Sequence, residues 1–346
     1  MQPCGILNQK YAQDMAIVRT KLQWGLWIAF VVLLFLVPLF VAANWLMFLN
    51  HLMITMIAVF GLQLLVGFAG QISLMHGATM AVGAYSATMI AGTFALPFWL
   101  TIPCGTLAAG VIGLIAGAPS LRIKGFYLAL ATFAAHYIII FIISHSPLEI
   151  TGGTIGLDVP PAAVGSFVFR GDLSWFYLIL PITLISGLFA KNLARGKIGR
   201  AFVAMRDNDL TAEAVGINLF SYKVLAFFIC SLFAGLAGSL QAYYIGFIDT
   251  SQFTLWDGIW YLGMIIIGGA GSILGVIFGV VIWRLLEHAI LLAGPVLSPI
   301  LGGTIFPLLN AIFAVLIIVF LIFQPRGLAH RWELFKASYR LWPYSY

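Results

Sequence analysis

Residues 46–73 read LMFLNHLMITMIAVFGLQLLVGFAGQIS: an uncharged apolar run, 46–67, that ends in the glycine-punctuated stretch Gly67-Phe68-Ala69-Gly70-Gln71-Ile72-Ser73. A helix rising about 1.5 Å per residue needs about 20 apolar residues to cross about 30 Å of hydrocarbon, and this run has that length. Runs of the same kind recur near 24–43, 76–95, 98–117, 126–143, 174–192, 223–247, 257–269, 273–293 and 304–323. The predicted fold class is all-α, a polytopic transmembrane helical bundle of about ten segments with broken or re-entrant Gly-rich helices. The run 257–269 is too short to span untilted and ends at Gly268-Gly269-Ala270-Gly271. Such breaks survive at membrane depth only where protein or a water-filled cavity encloses them, because an amide unsatisfied in hydrocarbon is very costly. The likeness between the breaks at Gly67 and Gly268 fits an internal repeat and a chance match equally well.

Composition supports the same medium. Of 346 residues, 62% are hydrophobic and 8% charged, with mean hydropathy +1.06. Soluble domains carry about 25% charged residues, so lipid and neighbouring helices must replace water as the contact surface. The 36 glycines suit helices that pack closely in lipid. A formal charge of +6 does not indicate a nucleic-acid partner, since the basic residues sit in short inter-segment stretches and not on one clustered face. Cys4, Cys104 and Cys230 lack metal-ligand spacing, and the six histidines form no His-Glu-x-x-His helix. No Gly-x-x-x-x-Gly-Lys-Ser/Thr loop is present, so the chain does not hydrolyse ATP by that route.

The first run exceeds the about 7–15 apolar residues of a signal peptide and is read as an uncleaved helix. Lys10, Arg19 and Lys21 precede it and place the amino terminus in the cytoplasm. Ten crossings return the carboxyl terminus to that side, together with Arg122, Lys124, Lys191, Arg195, Lys197, Arg200, Arg206, Lys223, Arg326, Arg331, Lys336 and Arg340; Arg170 lies outside. The organisation is then a cytoplasmic segment 1–23, a transmembrane domain 24–325 and a cytoplasmic tail 326–346. An external loop, 144–173, and an internal loop, 193–222, are long enough to meet soluble partners.

In the internal loop, helical spacing lines up Phe202, Met205, Asp209, Ala212 and Val215, predicting a short amphipathic helix ended by Gly216. Docking in a partner's groove and lying in the headgroup interface fit it equally. Gln71, Ser73 and His76 start a span, where pathway lining competes with capping and inter-helix hydrogen bonding. Arg284, Glu287 and His288 have helical spacing inside a span, where ionisable groups are functional or mutually paired, and the structural pair is the favoured reading. Thr151-Gly152-Gly153 reads as a tight turn.

Five blocks in order resemble the permeases of branched-chain amino acid ABC importers, in particular the M-type membrane subunit. They are Gly70-Gln71 through Ser73, His76-Gly77, Gly83 and Tyr85; Leu121-Arg122 through Gly125, Tyr127 and Thr132; Thr151-Gly152-Gly153 through Gly156-Leu157; Gly199-Arg200 through Arg206-Asp207-Asn208-Asp209 to Glu213 and Gly216-Ile217; and Lys223 through Phe227 to Ala234-Gly235 and Gly238. Together they cover most of the chain from Gly61 to Gly279.

The resemblance implies a non-catalytic pore subunit paired with an H-type permease, two cytoplasmic ATPase subunits that carry ATP and Mg, and a periplasmic substrate-binding protein. No cofactor or metal is implied on this chain. The implied location is the bacterial inner membrane, in contact with lipid. By the same resemblance, Arg200, Arg206, Asp207, Asn208, Asp209, Glu213 and Gly216 couple to the ATPase. Gln71, Ser73 and His76 belong to the pathway, and Thr151, Gly152 and Gly153 belong to the face that receives the binding protein. Val215 stands where the coupling motif often has Ala, and the usual downstream Pro is missing. A urea or amide importer, a stand-alone channel and a secondary transporter are the alternatives.

Overall fold

The computed structural model describes residues 21–341, except 122, 124, 148–150, 154, 166 and 302–304. Lys10, Arg19, Cys4, Arg122, Lys124 and Glu149 lie outside the described residues, as do the side chains of Lys21 and Arg340.

Each predicted run is a helix. In chain order these are α1 (Lys21–Phe40), α2 (Ala43–Leu62), α3 (His76–Phe94), α4 (Phe98–Gly117), α5 (Phe126–His145) and α6 (Asp172–Arg195). They continue with α7 (Lys197–Asp207), α8 (Asp209–Ala214), α9 (Leu219–Ile245), α10 (Leu255–Gly268), α11 (Ile273–Leu301), α12 (Ile305–Phe323) and α13 (Gly327–Leu341).

Among the described residues, six helices are long and apolar enough to cross a membrane: α2 with its continuation to Phe68, α4, α5, α6, α9 and α11. The bent pair α12–α13, with an angle of 48°, makes seven if counted as one span. The chain is a multi-pass α-helical membrane protein. The helices that fall short do so for physical reasons. α3 carries His76, Thr79, Tyr85 and Thr88, all buried in protein, so it has no need of lipid-grade side chains. α10, with 14 residues, is only about 21 Å long.

The core packs α3, α4 and α9 on one another, and α9 against α2. Glycine permits the closest approach. A Cβ on Gly238 of α9 would stand 2.0 Å from the Met80 carbonyl oxygen of α3, and Ser239 Oγ donates to the Gly83 carbonyl at 3.0 Å.

Two helices begin inside the bundle. After α2, a π-helical turn (Gln63–Phe68) ends the helix, and residues 69–75 run back alongside it. They return far enough for His76 to bond the Ala58 carbonyl, about 15 Å back along α2. α10 starts at the same depth, with the Thr254 carbonyl against Gly77 and Gly258 against the Leu74 carbonyl. Thr254, at the start of α10, is exposed, and a helix start leaves amides to satisfy. Thr254 and Asp257 do so with a reciprocal capping box, in which the Thr254 N–H donates to Asp257 Oδ2 at 2.8 Å and the Asp257 N–H to Thr254 Oγ1 at 3.4 Å. The expected Gly-rich break after the run 46–67 is therefore present, and the second, at Gly268-Gly269-Ala270-Gly271, separates α10 from α11.

Short strands organise the loop 144–173. β1 (Leu157–Asp158) pairs antiparallel with β4 (Phe247–Ile248) just beyond α9, and β2 (Ala163–Val164) pairs with β3 (Phe167–Val168). These two-residue ladders leave the architecture helical.

Candidate functional site

The internal loop folds as two helices where one was predicted. At Asn208 the backbone turns extended (φ −160°, ψ 109°), and its side-chain oxygen caps α8 by accepting from the Thr211 N–H at 3.1 Å. Gly216, at φ +88°, ends α8, with the Ile217 N–H donating to the Ala212 carbonyl at 3.0 Å. The break shifts the helical phase, which corrects the predicted stripe. Phe202, Met205 and Ala212 are buried, but Val215 is 72% exposed. Asp209 turns inward and accepts a hydrogen bond from the buried Lys223 Nζ at 3.1 Å, pinning α8 to α9. Arg200, Asp207, Asn208, Glu213 and Gly216 are exposed, and so is Leu210 beside them.

Arg206 reaches from α7 into the bundle. Its Nε and Nη2 donate to Asp207 Oδ1 at 3.0 and 2.9 Å, and its Nη1 donates to the Gly67 carbonyl at 2.9 Å. A Cβ on Gly70 would meet Arg206 Cγ at 2.7 Å, and one on Gly271 would meet Nη1 at 3.3 Å. The two breaks noted in the sequence thus touch: a Cβ on Gly67 would lie 2.6 Å from the Gly271 nitrogen. Gln63 bolts them together, its Nε2 donating to the Gly269 carbonyl at 3.1 Å and the Ser272 carbonyl at 3.0 Å. Gly327, at the start of α13, packs on Gly269 from the other side. Four chain segments therefore meet where Arg206 enters. A cavity of about 370 Å³ opens beside them, lined in part by Gly70, Gln71, Arg206, Asp207 and Asp209.

The other expected site residues are placed differently. Gln71 lines this cavity with its Oε1 unpartnered, whereas Ser73 and His76 are buried. His76 Nε2 donates to the Ala58 carbonyl at 3.0 Å, which leaves Nδ1 to accept from Cys230 Sγ at 3.5 Å. Inter-helix hydrogen bonding is thus what His76 does here, and no side chain caps α3. Thr151, Gly152 and Gly153, expected on an outward face, are all buried. Thr151 Oγ1 donates to the Ile143 carbonyl at 2.9 Å and accepts from the Gly153 N–H at 3.3 Å, while both glycines take positive φ. The tight turn is present, and its neighbour Ile155, 73% exposed, is what faces outward.

The intramembrane charges form the predicted pair. Arg284 Nη1 donates to Glu287 Oε2 at 2.7 Å, and its Nε donates to Thr55 Oγ1 at 3.1 Å, tying α11 to α2. His288 packs its ring on Trp45 and Phe48. Among the described residues no three His, Cys, Asp or Glu side chains gather as a metal site. Sequence reasoning missed Gln63, whose signal was a side-chain amide, one of two with Asn50, in the run 46–67. It also missed the exposed Leu210, for which the predicted stripe carried no signal.

A family model described as branched-chain amino acid transport system / permease component matches residues 44–323. The high-affinity branched-chain amino acid transport system permease protein LivM of Escherichia coli is 31% identical over 254 residues, covering 66% of this chain and 60% of that protein. A probable branched-chain amino acid transport permease LivM of Methanocaldococcus jannaschii is 27% identical over 231 residues, covering 64% and 66%. The autoinducer 2 import system permease LsrC of Photorhabdus laumondii is 26% identical over 230 residues, covering 64% and 58%. The match thus spans about 60% of the length of the first of these relatives. No solved structure matches the chain.

Proposed function

The chain belongs to the family of branched-chain amino acid transport permease components, and from that premise we propose that it is the pore-forming subunit of a bacterial ABC importer for branched-chain amino acids. The observation that carries the reading is the seat of Arg206, at the contact between two broken helices. A helix that docks outside and bonds the breaks inside is a lever. In this reading two cytoplasmic ATPases bearing ATP and Mg grip α7 and α8, and their closure moves Arg206 and the backbone at Gly67 and Gly271. The exposed Leu210, Glu213 and Val215 on or beside α8 supply the docking surface, an acid between apolar knobs. Rotation at the breaks then opens the bundle outward, where Ile155 and the loop 144–173 meet a periplasmic binding protein. An H-type permease completes the pore in the inner membrane, with both termini and the tail 326–346 in the cytoplasm.

Leucine uptake by cells lacking this chain, complemented by wild type or Glu213→Arg, tests the proposal. Uptake restored by wild type and lost with the variant is expected, whereas uptake by the purified chain alone in liposomes overturns it. The likeness to an autoinducer 2 permease favours a second reading of the cargo only, as another small polar solute.

A further inference from the structure

α10 and α11 pack antiparallel in register, with Gly268 against Gly275, Met264 against Gly279 and Trp260 stacked on Trp283 at 5.2 Å. One further turn sets Asp257 of α10 beside Glu287 of α11. Arg284 joins them from α11, and the three charges are near enough to act on one another. Thr55, to which Arg284 donates, is midway along the span Ala43–Phe68, so the group sits at the middle of the membrane. Its hydrogen bonds are incomplete. Asp257 Oδ2 accepts from Thr254 and Glu287 Oε2 from Arg284, yet the second oxygen of each carboxylate has no donor among the described residues. Tyr261, one turn from Asp257, is 9% exposed. Its hydroxyl has no hydrogen-bond partner among the described residues, although Asp257, Arg284 and Glu287 all lie within its electrostatic reach. The His51 ring of α2, near Arg284 and Glu287, makes no hydrogen bond there either.

Two carboxylates against one guanidinium leave a negative charge that is costly to hold alone inside a membrane. The Arg284 and Glu287 side chains are 21% and 30% exposed, so the group is open to a solute. Water would complete the hydrogen bonds but not the charge. A bare metal ion finds no three His, Cys, Asp or Glu side chains close enough to hold it among the described residues. An ammonium group supplies the charge and three N–H donors, which match in number the two free carboxylate oxygens and the Tyr261 hydroxyl. Arg284 Nη1 and Nη2, bonded once each to Glu287 and Thr55, keep one N–H apiece for a carboxylate on the same molecule. We propose that Asp257, Glu287 and Tyr261 bind the ammonium group of the transported α-amino acid at mid-membrane. The assignment rests on the importer reading and adds a substrate contact that the reading lacks.

Saturation-transfer NMR on the full-length chain in nanodiscs tests this with three probes: leucine, isoamylamine, which lacks the carboxylate, and isocaproate, which lacks the ammonium. Leucine and isoamylamine are expected to bind and to compete with each other, and isocaproate is expected not to bind. Asp257→Asn keeps an oxygen for the Thr254 N–H and should weaken leucine binding about ten-fold. Tyr261→Phe removes a single oxygen and should weaken it about three-fold. If Asp257→Asn fails to fold, Tyr261→Phe gives the same comparison. Isocaproate binding as tightly as leucine overturns the proposal, as does unchanged leucine binding in either variant or no leucine binding to the wild type. So does displacement of isoamylamine by a co-purified second permease subunit, which would mean that a partner's cation fills the site. Binding to the isolated chain needs no ATPase and no transport, so its failure is read separately from failure of the uptake test.

Discussion

Arg206 is both half-exposed to water and bonded to a carbonyl inside the bundle. Hydrogen bonds from charged donors contribute about 1.5–3 kcal/mol each, so Arg206→Ala should lower leucine uptake about ten-fold or more while the complex still assembles. Arg206→Lys, which lacks the fork that grips Asp207 and Gly67 together, should fall between the two. Radiolabelled uptake alongside co-purification separates coupling from assembly. At Lys223 the risk is to stability: its ammonium is 2% exposed and faces Asp209. Asp209→Ala should destabilise the chain by about 3 kcal/mol, because it strands a buried charge, whereas Asp209→Leu with Lys223→Met should be near neutral. Thermal melts in detergent decide between these outcomes.

Between elements, space is the determinant. Gly238→Val forces a branched side chain onto the Met80 carbonyl, where α3 and α9 approach within the radius of a single carbon. Lipid gives helices no hydrophobic reason to associate, so loss of this contact removes the packing that holds α3 inside. Gel filtration should show aggregated or absent protein. Gly70→Ala is a milder case at the break. It strains a residue at φ +67° by about 1–2 kcal/mol and pushes on Arg206, so folded protein with impaired uptake is expected. Thr55→Val removes the acceptor that joins Arg284 of α11 to α2 and should cost about 0.6 kcal/mol in a melt.

For the whole molecule, the proposal places α8 and the turn after Thr151 on opposite sides of the membrane. Cysteines introduced at Glu213 and Ile155, both exposed, should label with an impermeant thiol reagent from opposite faces: Ile155→Cys in intact cells, Glu213→Cys only after lysis. Labelling of Glu213→Cys from outside would invert the topology and remove the ATPase from its docking surface.

The long apolar runs became helices because 20 or so uncharged residues have one way to satisfy their amides in lipid, a property local to the run, whereas six or seven of the expected ten are long and apolar enough to span among the described residues. The breaks at Gly67 and Gly268, the Arg284 pair and the turn at Thr151 were legible for the same reason, each being written in a few adjacent residues. Partnerships were not. Gln63 and Gly269 stand 206 positions apart, and nothing in either neighbourhood announces the other. The burial of Thr151 and His76 was likewise hidden, since polar residues at a span's end look alike whether they line a path or fasten helices. Only the tertiary structure brought the two glycine breaks onto one arginine. In lipid, where apolar surface is indifferent to its neighbours, that choice falls to shape and hydrogen bonding across distant segments.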